Sequence, residues 1–239
     1  RRGEPRNKPP YPGQHGLWGR PTLINNVETF ALSVAITSGG SDAWRARGKG
    51  DSVGVKFISI SGDVRQPDVY EVPLGTTIAE LIELAGGVTG DKPIKAILPG
   101  GASSNFIRGD QTHLALDFDA LAAAGTMLGS GAVLVLAEGR DVLDLATNVV
   151  SFFRNESCGK CVPCRVGSAK AVAMLEQALA GASHPRQLTV LRDLRSTLEQ
   201  TSICGLGQVA LNPLSSALEA FGPELRARFE APLATPDEA

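Results

Sequence analysis

The stretch ESCGKCVPCRVG at 156–167 sets Cys158, Cys161 and Cys164 three residues apart, and the only other cysteine in the chain is Cys204. Disulfides are disfavoured, because thiols three apart in a turn or helix rarely reach bridge geometry and nothing marks the chain as secreted. Zinc usually takes two separated pairs of ligands, and a third cysteine three residues on spoils that pattern. A [4Fe–4S] cube presents four iron corners, and one winding C-x2-C-x2-C loop can meet three of them. The spacing therefore favours an iron–sulfur cluster, with zinc as the alternative.

The ferredoxin pattern would place a fourth cysteine and a proline nearby. Here Cys204 is followed by Gly205, so the fourth thiol comes from another helix. A cluster held by Cys158, Cys161, Cys164 and Cys204 would staple separate helices together, and part of their folding energy would come from metal binding. Gly159, Gly205 and Gly207 would let backbone approach the sulfides. Lys160 and Arg165 either add positive charge beside an anionic cube or form a solvated surface pair.

These thiols need helices to position them. From Asp141 onward Val142, Leu145, Val149, Val150 and Phe153 make an apolar helical face that runs into the cysteine stretch. AKAVAMLEQALAG, PRQLTVLRDLRSTLEQ and GQVALNPLSSALEAFG each suit one further helix, so residues 140–230 predict a small bundle. Upstream, VKFISISGDVRQPDVYEVPLGTTIAELIELAGG reads as two strands about a turn and then a Thr-capped helix. Further strands at IKAILPGG and 132–137 complete a small mixed sheet with one helix over 54–138, the β-grasp arrangement. Gly129-Ser130-Gly131 reads as a turn into the last strand rather than a phosphate cradle. Val27, Phe30, Ala31 and Val34 recur at helical spacing, with Asn25 or Asn26 as cap, and a linker is expected from Gly39 to Gly54.

The 239 residues are 43% hydrophobic with a net charge of −2. That composition can fill a real core and argues against a nucleic-acid surface, and no apolar run approaches a membrane span. No Walker or GxGxxG pattern is present. The opening RRGEPRNKPPYPGQHGLWGRP has no initiating Met and no apolar signal segment after it, and reads as the interior of a longer polypeptide.

GEPRNKPPYP, GRPTLINNVETFA, PGGASS, ESCGKCVPCRVGSAK and TSICGLGQ, in that order, resemble the NADH-binding 51-kDa flavoprotein subunit of complex I. They equally resemble the diaphorase subunits of NAD-linked formate dehydrogenases and hydrogenases. The resemblance implies an α+β chain. Residues 1–50 would form the tail of an FMN- and NADH-binding α/β domain, 54–138 a β-grasp domain of the soluble-ligand-binding type, and 140–230 the cluster-binding bundle. In such proteins FMN takes a hydride from NADH and releases the electrons singly to the adjacent [4Fe–4S] cluster.

By that resemblance Asn25, Asn26 and Thr29 would contact the FMN phosphate or ribityl chain, and Lys8 would lie near the flavin. On the residues alone, the asparagines are helix caps and Lys8 a surface charge. The glycine-rich flavin loop of the family lies upstream of this sequence, so hydride transfer cannot be completed by these residues. The implied partners are that upstream segment, a 24-kDa-type [2Fe–2S] subunit and further iron–sulfur subunits, in the cytoplasm or on the cytoplasmic face of the inner membrane. The competing readings are a non-catalytic assembly module with a structural cluster and a zinc-stabilised interaction protein.

Overall fold

The computed structural model describes residues 9–230. Lys8 lies outside the described residues. Strands β1 (Val55–Gly62), β2 (Asp68–Pro73), β3 (Ile94–Leu98), β4 (Ile107–Arg108) and β5 (Ala132–Ala137) form one mixed sheet in the order β2-β1-β5-β3-β4. β1 runs parallel to β5, with Ser59 opposite Ala132, and antiparallel to β2. β3 is antiparallel to both β4 and β5.

Successive side chains of a strand point to opposite faces, and both faces are covered at β5 and β3. Val133 and Val135 of β5 and Ile97 of β3 pack with Ile58 and Ile60 into one buried cluster. That cluster is closed by α3 (Ile78–Leu84) and α4 (Phe118–Ala123) through Ile78, Leu81 and Leu121. Leu136 of β5 and Ala96 and Leu98 of β3 point the other way, into a second cluster built from the C-terminal helices. β5 and most of β3 are apolar on both sides because both of their sides are interior, whereas β1 leaves Phe57 and Ser61 exposed on its second side.

Local chemistry sets the helix starts. Thr77 and Glu80 form a reciprocal capping box on α3, with Oγ1 of Thr77 accepting from the Glu80 N–H and Oε2 of Glu80 accepting from the Thr77 N–H at 2.9 Å. The Lys49 ammonium, then the Thr77 N–H, hold the Glu80 carboxyl down to about 2. Asp141 caps α5 (Val142–Glu156), accepting from the Leu143 N–H at 2.8 Å. Its other oxygen accepts from Arg228 at 2.7 Å, tying the last helix to the first of the bundle.

The remaining helices are α6 (Ser168–Leu179), α7 (Arg186–Thr201), α8 (Gly205–Gln208), α9 (Asn212–Ala220) and α10 (Gly222–Glu230). Three expectations are corrected. The single helix expected over 207–222 is broken, because Pro213 begins a new helix at its first turn. The sheet carries a second helix, α4, whose cap Asp117 accepts from the Ala120 N–H at 2.7 Å, and a two-residue strand too short to show alternation. The segment expected as linker holds the short helix α2 (Ser41–Arg45) and is pinned to the sheet where the Lys49 N–H donates to the Leu74 carbonyl.

Helix α1 (Val27–Gly39) forms as the spacing predicts, but none of its residues is buried. Val27 is 84% exposed, Val34 66% and Phe30 50%. A helix this apolar is normally covered. Its contact with the sheet is polar: Glu28 accepts from Lys56 Nζ at 2.7 Å and from the Phe57 N–H at 3.1 Å. Burial works against ionisation of Glu28, yet these two donors hold its carboxyl below the usual range.

Candidate metal centre

Three bundle elements converge on the cysteines. α5 ends at Glu156, and the next residues turn through Cys158, Gly159 at φ 75° and Lys160 to Cys161. Pro163–Gly167 then winds as a π-helical turn that runs straight into α6, and Cys164 sits inside it. Such wide single turns are frequent at functional sites. From the far side α7 hands the chain through Ser202 and Ile203 to Cys204, the residue before α8.

All four cysteines line one cavity of ≈ 360 Å³, together with Glu156, Ser157, Lys160, Ile203 and Leu206. Cys164 is buried at its base, Cys161 half-buried, and Cys158 and Cys204 exposed at its mouth. Burial pushes the Cys164 thiol up, and the other three cysteines add to that effect, against the hydrogen bond its Sγ makes to Ser157 Oγ at 3.3 Å. Cys161 is shifted the other way, first by the Ile203 N–H and also by the Arg165 guanidinium. The four sulfurs therefore share one electrostatic neighbourhood, in which four thiolates repel unless something cationic stands between them.

That donor set fits an iron–sulfur cluster. A single zinc ion draws four ligands to within ~2.3 Å of one point. Here the four thiols line one shared cavity of ≈ 360 Å³.

The glycines divide by task. A Cβ on Gly207 would meet Ser202 Oγ at 2.5 Å and Cys164 Cβ at 3.0 Å, so Gly207 seats α8 against buried Cys164. A Cβ on Gly205 would meet nothing within 4 Å. The Ser202 hydroxyl, packed there, is buried with no hydrogen-bond partner among the described residues. Arg165 turns back onto the loop, its Nη1 donating to the Gly159 carbonyl at 2.7 Å. Arg165 stays exposed to solvent while it makes this bond.

Two family models match in chain order. Residues 57–103 match the SLBB domain, and 144–228 match the NADH-ubiquinone oxidoreductase-F iron-sulfur binding region, which contains all four cysteines. An NADH-quinone oxidoreductase F-type subunit of Rhizobium meliloti is 41% identical over 96% of this chain and 55% of its own length. The chain is thus similar to the F-type subunits of NADH-quinone oxidoreductase and carries their iron–sulfur binding region. The NADP-reducing hydrogenase subunit HndC of Solidesulfovibrio fructosivorans is also similar, 36% identical over 96% of this chain and 47% of its own length.

A crystal structure of an NAD+-reducing [NiFe]-hydrogenase in the H2-reduced state superimposes with a TM-score of 0.82 at 32% identity, over 98% of this chain and 39% of that one. The chain spans about half the length of the curated relatives it matches. Subunits of complex I type and of hydrogenases are thus similar to it over the same span.

The other residues singled out in the sequence, Asn25, Asn26 and Thr29, lie together at the exposed start of α1, away from the cysteine cavity lining. Asn26 occupies the cap position, but its side chain makes no capping hydrogen bond. The first-turn N–H groups of α1 are left to another acceptor. No helix among the described residues is long and apolar enough to cross a membrane.

Proposed function

We propose that this chain is the electron-transfer portion of an NADH:acceptor oxidoreductase subunit, with Cys158, Cys161, Cys164 and Cys204 as the four ligands of one [4Fe–4S] cluster. The observation that carries this reading is the single cavity lined by all four cysteines of the chain. Such a cluster, when bound, takes up and releases one electron at a time.

The chain's own residues set its surroundings. Cys164, in the π-helical turn, anchors the base. Cys161 receives the Ile203 N–H, which favours the thiolate a ligand must be. Arg165 holds the Cys158–Cys161 loop by the Gly159 carbonyl and places a positive charge near the sulfurs. The exposed Cys158 and Cys204 leave one side of the site open for exchange with a redox partner.

Residues 1–50 are read as the end of a flavin domain, 54–138 as a β-grasp domain and 140–230 as the cluster bundle. The β-grasp reading is supported by the parallel pairing of β1 with β5 in mid-sheet and by the SLBB match. Asn25, Asn26 and Thr29 at the open start of α1 suit the phosphate end of FMN, since helix N-termini present N–H donors to anions. The exposed apolar α1 suits burial against the upstream flavin segment. NADH is the substrate of the whole assembly, whose partners are that segment, a 24-kDa-type [2Fe–2S] subunit and other iron–sulfur subunits. The assembly stands in the cytoplasm or peripherally on the cytoplasmic membrane face.

The deciding experiment is low-temperature EPR of the anaerobically purified complex before and after NADH. A [4Fe–4S] signal that appears with NADH and disappears on reoxidation is expected. A cluster that never changes redox state would sink electron transfer in favour of a structural role, and a colourless zinc protein would sink the cluster itself.

A further inference from the structure

A cavity of ≈ 320 Å³ opens between α7, α9 and α10, separate from the cysteine site. Leu191 and Leu214 are buried in it, Leu218 is half-buried, and Arg192, Arg195 and Arg226 border it. None of the three guanidiniums has an ion-pair partner among the described residues, and the Arg195 Nε–H is buried with no acceptor there. A buried donor without an acceptor is rare in a finished structure. Elsewhere the bundle pairs such charges itself: Arg228 with Asp141, and Lys95 with Glu224, each at 2.7 Å.

We infer that this groove docks an acidic segment of another subunit, which inserts an apolar side chain against Leu191, Leu214 and Leu218 and sets carboxylates on the three arginines. Charge complementarity selects the occupant. Arginines around an apolar floor form the kind of centre on which interface energy concentrates. Glu219 on the same rim repels a dense polyanion such as a polyphosphate or nucleic acid, but leaves room for carboxylates spaced along a peptide. The guanidinium fork also matches a carboxylate in bidentate geometry. The inference rests on the proposed function only in taking the chain to work inside a multi-subunit assembly.

The test uses the full-length subunit in its native complex, with p-benzoyl-phenylalanine placed at Glu219, irradiation, and mass-spectrometric identification of the joined peptide. The expected product joins position 219 to a segment of a different subunit that carries Asp or Glu beside an apolar residue. In parallel, Arg195→Glu and Arg226→Glu should each raise the fraction of dissociated subunit at moderate salt at least tenfold, with iron content unchanged. Arg226 lies exposed on α10, so its variant stays informative if Arg195→Glu misfolds. Cross-links confined to this chain, or to a neutral or basic segment, would overturn the inference. So would a small anion retained in the groove by native mass spectrometry, or salt-insensitive assembly of both variants. EPR on the same samples reads the cluster independently, so a missing cluster with an intact cross-link condemns the electron-transfer reading and not the groove.

Discussion

Arg165 Nη1 donates to the carbonyl of Gly159 at 2.7 Å, closing the loop that carries Cys158 and Cys161 onto the turn that carries Cys164. One side chain thus sets loop geometry and brings a cation to the thiols, and the two roles are separable.

Arg165→Gln keeps a hydrogen-bond donor and loses the charge. A unit charge ~6 Å away at an effective dielectric of ~20 contributes roughly 3 kcal/mol, which solvent screening reduces severalfold. At about 59 mV per tenfold for one electron, the midpoint potential should fall by some tens of millivolts while iron content holds. Potentiometric EPR titration measures this, and an unchanged midpoint would mean that the guanidinium acts on the loop alone.

Loss of the proposed cluster should loosen the bundle, since a cluster on these four cysteines would join the α5–α6 loop to the start of α8. Oxidative removal of iron with a chelator, or Cys164→Ala, is expected to lower Tm by at least ~5 °C, because each kcal/mol moves Tm by ~2–4 °C at this size. Cys158→Ala, Cys161→Ala and Cys204→Ala should each also lose iron. Any one of the four that keeps full iron and an unchanged EPR signal is not a ligand.

Gly167 is where α7 comes closest to the cysteine turn: a Cβ there would stand 2.4 Å from Leu198 Cδ1. Leu198 is 1% exposed and has little room to yield. Gly167→Ala should therefore destabilise the fold by ~1–3 kcal/mol despite its better helix propensity. Leu198→Ala costs ~2–5 kcal/mol by itself, and the double variant should lose less than the sum. Denaturant melts of the three variants give the coupling directly, and strict additivity would show that the two sites do not touch.

Glu28 ties α1 to β1, and its carboxyl is held below its ordinary value. A lowered carboxyl contributes stability that is fully present above the unfolded value and lost as pH falls through the folded one. The attachment of α1 should be intact at pH 7 and weaken below roughly pH 4.5. Glu28→Gln should remove that pH dependence at a cost of ~1 kcal/mol or less. Hydrogen exchange over 27–39, corrected for intrinsic rates, reads the outcome, and a pH-independent profile in the unmodified protein would rule the tie out.

Where partners lie within a few residues of one another, the sequence was enough. The Thr cap of α3, the helix beginning after Asp141, the strand at 132–137 and the run of three cysteines are all set at backbone spacing. Residues four apart on a helix or two apart on a strand share a face whatever the rest of the chain does. The cysteine types also narrowed the chemistry, because thiols at that interval suit one kind of body better than another.

Tertiary packing decided what no spacing encodes. That Cys204 opens on the same cavity as Cys164 depends on α7 crossing closely enough, which Gly167 and Gly207 allow. That β3 and β5 have two interior faces depends on the bundle lying across Leu136, Ala96 and Leu98. The arginine groove joins residues of α7 and α10 that lie more than thirty positions apart and read locally as solvated helix faces. The apolar stripe of α1 shows the converse: the pattern makes a helix that needs covering, but a helical period states only which residues share a face. What covers that face is set by chain packed against it, whereas the attachment of α1 to the sheet through Glu28, Lys56 and the Phe57 N–H is polar.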